Sequence, residues 1–587
     1  MKRLAKYLFT ALYTFAPALL PKAEIVRLEW NITRFLATFD GVERSVIGIN
    51  GERASHFTIR ANCGDRIIIT TKSEIPEGVA IHWHGLFQKE TQEMDGVGGI
   101  TQCPLTTRNT IVYDFFAFPC GTHWFHAHLK TEYMDGLRGA MIVEDSPDEL
   151  PMVYDADYVL QLADWYHEES ASLFNQFTNI TLNPSGAKPV WNTVLINNRG
   201  RINCTLVDKK RFPVCTDRQP LTTLIFTPGK IYRLRLINMA GFAPLNFSVD
   251  GHTMTVVAAD GVRVKPSKKL NSVRLFVAQT MDVLVEAVGN ENEQFFMRCK
   301  SNFGPPFTSL PREQFPADFN PVGLGRIVYG ANAVNQCDPK TKDWDTIETL
   351  ENDADLASLN PIEFPQEAKQ NCSILQFTIK TTPTDPNWLG YVSVDQAPFA
   401  TFVLPTMPTL FAITIGESIP ASTNPLVLTS SDIVQTIFVY NLNPAVHPMH
   451  LHGFIFRILY VGNVPLDKIQ SSCGENTPVP SSLYKKEILE RDVVTVSGCN
   501  ADNLGNCQDA GLLIIQFYTN NPGAWLLHCH IEWHFATGFT STIIIDSDHF
   551  SQNPKGIGMF DSGLVGTCSS LASSTPSTGT PIGITTK

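Results

Sequence analysis

The chain has 587 residues, 43% of them hydrophobic and 17% charged, which excludes a disordered polymer and is too long for a single hydrophobic core. Its 45 Lys and Arg against 57 Asp and Glu give a formal net charge of −12. That balance argues against nucleic acid or an anionic membrane surface as a partner.

Lys2, Arg3 and Lys6 precede an apolar run over 7–20, with small Ala16 and Ala18 ahead of Pro21-Lys22. This layout predicts a secretory signal peptide over 1–23, with an uncleaved anchor as the alternative; the run is short for a spanning helix, and no stable membrane span is expected. Short strand-like runs dominate downstream, at 66–71, 139–144, 253–259, 273–277, 512–519 and 540–546, parted by Gly, Pro and Asn turns. The class is therefore all-β, in sandwiches or barrels of antiparallel strands. A break at Asp145-Ser146-Pro147 closes a first domain, 24–150, and a second follows at 151–336. The acidic stretch 337–375 reads as a linker into a third, 376–550. The tail 551–587, rich in Ser, Thr, Pro and Gly, reads as unstructured.

Ten of the 15 histidines fall in four short segments. They are His82-Trp83-His84, His126-Ala127-His128, His447-Pro448-Met449-His450-Leu451-His452 and His528-Cys529-His530-Ile531-Glu532-Trp533-His534. Along a strand, alternate side chains share a face, so each His-x-His pair can meet one metal cluster. Cys529 then projects opposite to His528 and His530. Ten histidines and one cysteine exceed any single zinc site. One thiolate with imidazole partners suits a trigonal copper centre, and imidazoles on the other face suit a second, nitrogen-only cluster. The isolated His56, His123, His167, His252 and His549 read as ordinary surface or core histidines.

These segments resemble the four copper-binding motifs of the multicopper oxidases, with laccases and laccase-like members nearest in wording. Gly85-Leu86-Phe87-Gln88, Asp95-Gly96, Gln102-Cys103-Pro104, Arg491-Asp492-Val493-Val494 and Asn521-Pro522-Gly523-Ala524-Trp525 extend the likeness, which spans about 27–546. The chain departs at His123, where fungal laccases usually carry an aromatic, and over 45–65, which lacks their Pro-Gly-Pro turn.

The resemblance implies three consecutive cupredoxin-like Greek-key β-barrel domains and four copper ions, with a three-copper cluster between domains one and three. It assigns a type 1 copper to His447, Cys529 and His534, a type 2 copper to His82 and His450, and a type 3 pair to His84, His126, His128, His452, His528 and His530. Phe539, ten residues beyond the cysteine, stands at the axial position and cannot ligate. Asp95 and Glu532 match the family's acids, which supply protons for oxygen reduction. His534 would accept electrons through an exposed edge, beside walls formed by Pro444, Ala445 and the 240–244 loop. The implied reaction oxidises phenols or aromatic amines and reduces dioxygen to water. A ferroxidase is the enzymatic rival. Iron-oxidising relatives place an acid four residues before the third motif, where this chain has Asn443. A non-enzymatic copper-binding protein is the alternative of a different class.

Setting Cys529 aside, twelve of the 13 cysteines remain, an even number suited to disulfides in an oxidising compartment. Cys204–Cys215 and Cys499–Cys507 are local pairs, and the family implies Cys103–Cys568. Sequons at Asn31, Asn179, Asn203, Asn246 and Asn371 join the signal in predicting a secreted, extracellular glycoprotein, expected to act as a monomer.

Overall fold

The computed structural model describes residues 23–552 apart from 108, 146–151, 302–314, 331–336, 351–354, 384, 471–472, 474–486 and 503–504. The expected signal segment (residue 23 excepted), the tail beyond 552 and Cys568 lie outside the described residues. Among the described residues strand accounts for 44% and helix for 9%, an all-β molecule. Residues 25–144 form two four-stranded sheets, 156–329 a six- and a five-stranded sheet, and 370–545 again a six- and a five-stranded sheet.

One departure from the sequence expectation recurs in all three units. Most neighbours are antiparallel, but each unit also carries two parallel pairs. In the first, Ile25–Ala37 runs parallel to Arg66–Ser73, and Ile59–Asn62 to Arg138–Glu144. The predicted runs fall on strands Arg66–Ser73, Arg138–Glu144, Met254–Ala259, Ser272–Leu275, Asp509–Tyr518 and Thr540–Ile545. Their β-branched residues pack a continuous core, in which Ile67, Ile69, Val256, Ile515 and Ile543 are buried.

The first and third units are joined side by side. Asn521 Nδ2 donates to Phe87 O at 2.7 Å and to Gly453 O at 3.1 Å. The backbone of Thr409 and Leu410 donates to Gly99 O and Ile100 O. Val97, Ile100, Leu410, Ile413, Ala524 and Leu526 bury an apolar seam there. This seam fixes the distance between the His-x-His segments of the two units.

Disulfides join Cys63–Cys120, Cys204–Cys215, Cys372–Cys473 and Cys499–Cys507. Cys103 is also disulfide-bonded, and its expected partner lies outside the described residues. The even count of twelve misled in part, because Cys299 and Cys337 are free thiols. Cys299 sits inside the strand Gln294–Ser301, within the core, where burial pushes its thiol up.

His167 is more than an ordinary core histidine. Its Nε2 lies 2.8 Å from Asp40 Oδ2 and its Nδ1 3.0 Å from Asp318 Oδ2, bridging the first and second units. Burial opposes its charge, but the hydrogen bonds it donates to Asp318 and Asp40 outweigh burial and raise its pKa to about 9. A raised pKa contributes stability that is complete below the unfolded value of about 6.5 and is lost as pH rises through about 9. We expect His167→Gln to cost about 2–3 kcal/mol near pH 7, from that shift. The difference from wild type should vanish by about pH 10 in denaturant unfolding followed against pH. A difference that persists there would contradict the charged bridge.

Candidate metal centres

His82 and His84 belong to the strand Ile81–His84, which pairs with Gly121–Ala127 so that His82 faces His126 and His84 faces Trp124. Trp83, on the alternate face, packs on Trp30, Tyr113 and Phe115 in the core. Past the strand, Gly96 adopts φ +78°, and a Cβ there would sit 1.7 Å from Ile81 O. Only a glycine lets the chain press so closely. Asp95 is thereby brought under the histidines. In the third unit, His447–Leu451 pairs with Gly523–Cys529, setting His450 opposite His528 and Met449 opposite Cys529. The short helix Glu532–Ala536 then turns His534 back toward Cys529.

Two buried centres result. At the first, Cys529 Sγ lies 3.4 Å from His447 Nδ1 and 3.5 Å from His534 Nδ1, and the two nitrogens are 3.0 Å apart. Three donors so spaced enclose a point about 2 Å from each, which is bonding distance for imidazole and thiolate ligands. His447 Nε2 donates to Asn443 Oδ1 at 3.3 Å, leaving Nδ1 bare. Burial pushes the Cys529 thiol up, so a thiolate here requires a cation beside it. The Phe539 ring stacks on His447 at 4.6 Å and presents only hydrocarbon.

The second centre gathers His82, His84, His126, His128, His450, His452, His528 and His530. Ring contacts connect all eight, with centroids from 3.9 Å apart for His82–His452 and His84–His450 to 5.9 Å for His82–His450. A carbonyl can only accept, so it fixes the tautomer of any ring bound to it. His82 Nδ1 donates to Asp95 O at 2.7 Å and His450 Nδ1 to Asp492 O at 2.9 Å. His126 Nδ1 donates to Ala127 O at 2.9 Å and His528 Nδ1 to Cys529 O at 3.0 Å. The Nε2 atoms of His82, His126 and His450 are consequently bare, buried and without a hydrogen-bond partner. Several triads place ligand atoms within 4.8 Å of one another: His82, His450 and His452; His82, His84 and His126; His128, His452 and His528. Burial, reinforced by neighbouring rings, pushes the pKa values of His84, His126, His128, His450, His452 and His530 far down. The rings are neutral, with lone pairs available to a metal.

Multicopper oxidase family models match residues 31–148, 156–313 and 381–549. The chain belongs to the multicopper oxidases. Among its relatives, the iron transport multicopper oxidase fetC of Epichloe festucae is 32% identical over 537 residues, covering 89% of this chain and 77% of that protein. Laccase-1 of Agaricus bisporus is 30% identical over 521 residues, covering 85% and 86%. Two solved structures superpose with a TM-score of 0.76. Fet3p, a multicopper oxidase that functions in iron import, is 25% identical and matches over 94% of this chain and 95% of its own. The laccase of Botrytis aclada is 26% identical over 95% and 94%.

As a multicopper oxidase the protein binds copper, and both donor sets fit that metal: one thiolate with two imidazoles, and bare imidazole nitrogens elsewhere. Of the two expected acids, Asp95 touches the eight-histidine centre. Asp95 Oδ2 lies 2.9 Å from His452 Nδ1, and Oδ1 is 3.3 Å from His82 Nδ1. Glu532 is buried, and its pKa is pushed far up by burial, with the charge of Glu132 adding to it.

Two expectations about the electron-entry side fail. His534 is fully buried rather than edge-exposed, because its helix is tied down where Glu532 N donates to Gly241 O at 2.9 Å. The 240–244 loop is no open wall either. The amides of Gly241, Phe242 and Ala243 all donate to the Asp164 carboxylate at 2.8–3.0 Å, closing the loop into the interior. Pro444 is exposed and Ala445 partly so. The open space nearby is a cavity of about 750 Å³ lined by Tyr166, Phe177, Ala187, Pro189, Asn192 and Arg211, among others. Tyr166 and Phe177 pack on Trp533, the neighbour of His534.

Three residues went unnoticed in the sequence as parts of the site. Asp492 places a carboxylate oxygen 3.8 Å from His84 Nε2, although in the sequence it stands out only as part of a matching motif. Glu132, buried with both carboxyl oxygens unpartnered, acts electrostatically on Glu532. Lys188 acts on His447, His534 and Cys529. Neither Glu132 nor Lys188 has a spacing signal, since each reaches the site only through folding.

Proposed function

We propose that this oxidase takes single electrons from phenols or aromatic amines at the site of His447, Cys529 and His534, and delivers them to dioxygen, which leaves as water. The observation that carries this reading is what stands against His447 at the thiolate centre, an amide and a hydrocarbon ring rather than an acid. Asn443 offers His447 an amide rather than a carboxylate, and Phe539 covers the ring. A site for Fe(II) would present hard oxygen ligands, which carboxylates supply best. The aromatic-lined cavity beside Trp533 suits a flat donor.

Copper, when bound, supplies the one-electron chemistry: one type 1 ion at His447, Cys529 and His534, a type 2 ion at His82 and His450, and a type 3 pair at the other six histidines. Cys529 is covalently continuous with His528 and His530, so a short backbone path links the two centres. Asp95 orients His82 and His452. Glu532 is the proton donor in this reading, and the Phe535 ring packs 4.7 Å from His128 and 4.9 Å from His528. The disulfides favour an oxidising, extracellular setting.

Ferroxidase activity is the second reading, favoured by relatives named as iron transport oxidases. An oxygen electrode separates the two with a panel of hindered phenols, aromatic amines, ascorbate and Fe(II). Phenols should give the highest kcat/KM. Faster, tighter oxidation of Fe(II) would overturn the proposal, and copper binding without oxygen uptake would favour a storage protein.

A further inference from the structure

The segment 183–190 carries Lys188 between two anchors, each of which leads to the thiolate centre. Gly186 lies on the Trp388 ring, where a Cβ would be 2.6 Å from Cε2, and Trp388 Nε1 donates to Asn183 O at 3.0 Å. Two residues beyond Trp388, a Cβ on Gly390 would meet Phe539 at 2.7–2.9 Å, and Phe539 stacks on His447. On the other side, Tyr166 Oη donates to Pro189 O at 3.4 Å and packs on Trp533 with ring centroids 5.6 Å apart. Lys188 lies between these anchors, half-buried. Among the described residues, no carboxylate lies within ion-pair distance of it. Ala187 and Pro189, its neighbours, line the cavity.

We propose that Lys188 is a charge filter at the electron-entry site, repelling cationic reductants such as Fe(II) and favouring anionic ones. This rests on the assignment of His447, Cys529 and His534 as the entry site. The filter has a distinctive sign. The whole chain carries −12, a field that would attract Fe(II) and repel anions. Charges farther off than the Debye length of about 10 Å at 0.1 M salt are largely screened, whereas a cation beside the site is not. Local and global charge thus predict opposite salt effects.

The test uses the full-length, copper-loaded protein without oxygen and follows bleaching of its blue absorption. Two probes of opposite charge serve as donors, Fe(II) and hexacyanoferrate(II). Each gives up one electron, becoming Fe(III) or hexacyanoferrate(III), with no proton transferred. As ionic strength rises from about 0.01 M to 1 M, the rate with hexacyanoferrate(II) should fall and that with Fe(II) should rise. K188Q should flatten both slopes and K188E reverse them, with K188R retaining the wild-type pattern. At low salt, K188E should change the ratio of the two rates at least about tenfold in favour of Fe(II). Unchanged slopes in K188Q, or wild-type slopes of the opposite sign, would overturn the filter. A neutral hindered phenol keeps the two failures apart. If it fails to bleach the band, the entry-site assignment falls and the filter with it. If it bleaches the band while the slopes ignore Lys188, only the filter falls.

Discussion

Cys529→Ser is expected to lower oxidase turnover by at least about three orders of magnitude, the scale of loss when one member of a unit that acts together is removed. The side chain lies at 0% exposure between two imidazole nitrogens, so serine fits the same volume. Its hydroxyl does not replace a soft thiolate. The fold should survive, because the Cys529 amide still donates to Phe539 O and the pairing with His447–Leu451 is backbone-borne. The variant should lose its blue colour and one copper per chain while keeping those at the eight histidines. Metal analysis and visible absorption check this together. A serine variant that remained blue and active would refute the assignment of the first centre.

Glu532→Gln should act on the other half of the reaction. The acid is buried, and burial pushes its pKa far up, with the charge of Glu132 adding to it. Glutamine preserves its shape and polarity but has no proton to give. General acid catalysis contributes about 10²–10⁴-fold, and the variant should slow re-oxidation by dioxygen by that order. Bleaching of the blue band by a phenol under nitrogen should proceed as in wild type, because the thiolate centre is untouched. Normal re-oxidation of the reduced variant would remove Glu532 from the proton path and point to its buried neighbour Glu132.

Much of this was legible in the sequence, for physical reasons. The ten clustered histidines reveal themselves because a strand shows alternate residues to one face, and the spacing survives in the letters. The strand runs were visible for the same reason, through β-branched residues between turn formers. The pairing of strands was not. Nothing in 25–37 announces that it runs parallel to 66–73, since that depends on closing a long loop. The 240–244 loop shows how apolarity misleads: its hydrophobic residues signalled burial around Asp164, not the wall of an open pocket. The family resemblance implies an exposed edge for His534, although packing buries it. Cys299 was counted into a disulfide by parity, which carries no geometry. Lys188 and Glu132 reach the site from other segments, and only the tertiary arrangement brings their charges to bear.

The most direct test is to count copper and oxygen together. A chain that holds the eight histidines and the thiolate triad as described should carry four coppers and consume one dioxygen for every four single-electron oxidations of a phenol, releasing no hydrogen peroxide. Hydrogen peroxide at two electrons per dioxygen, or that same turnover from a chain holding a single copper, would contradict the account.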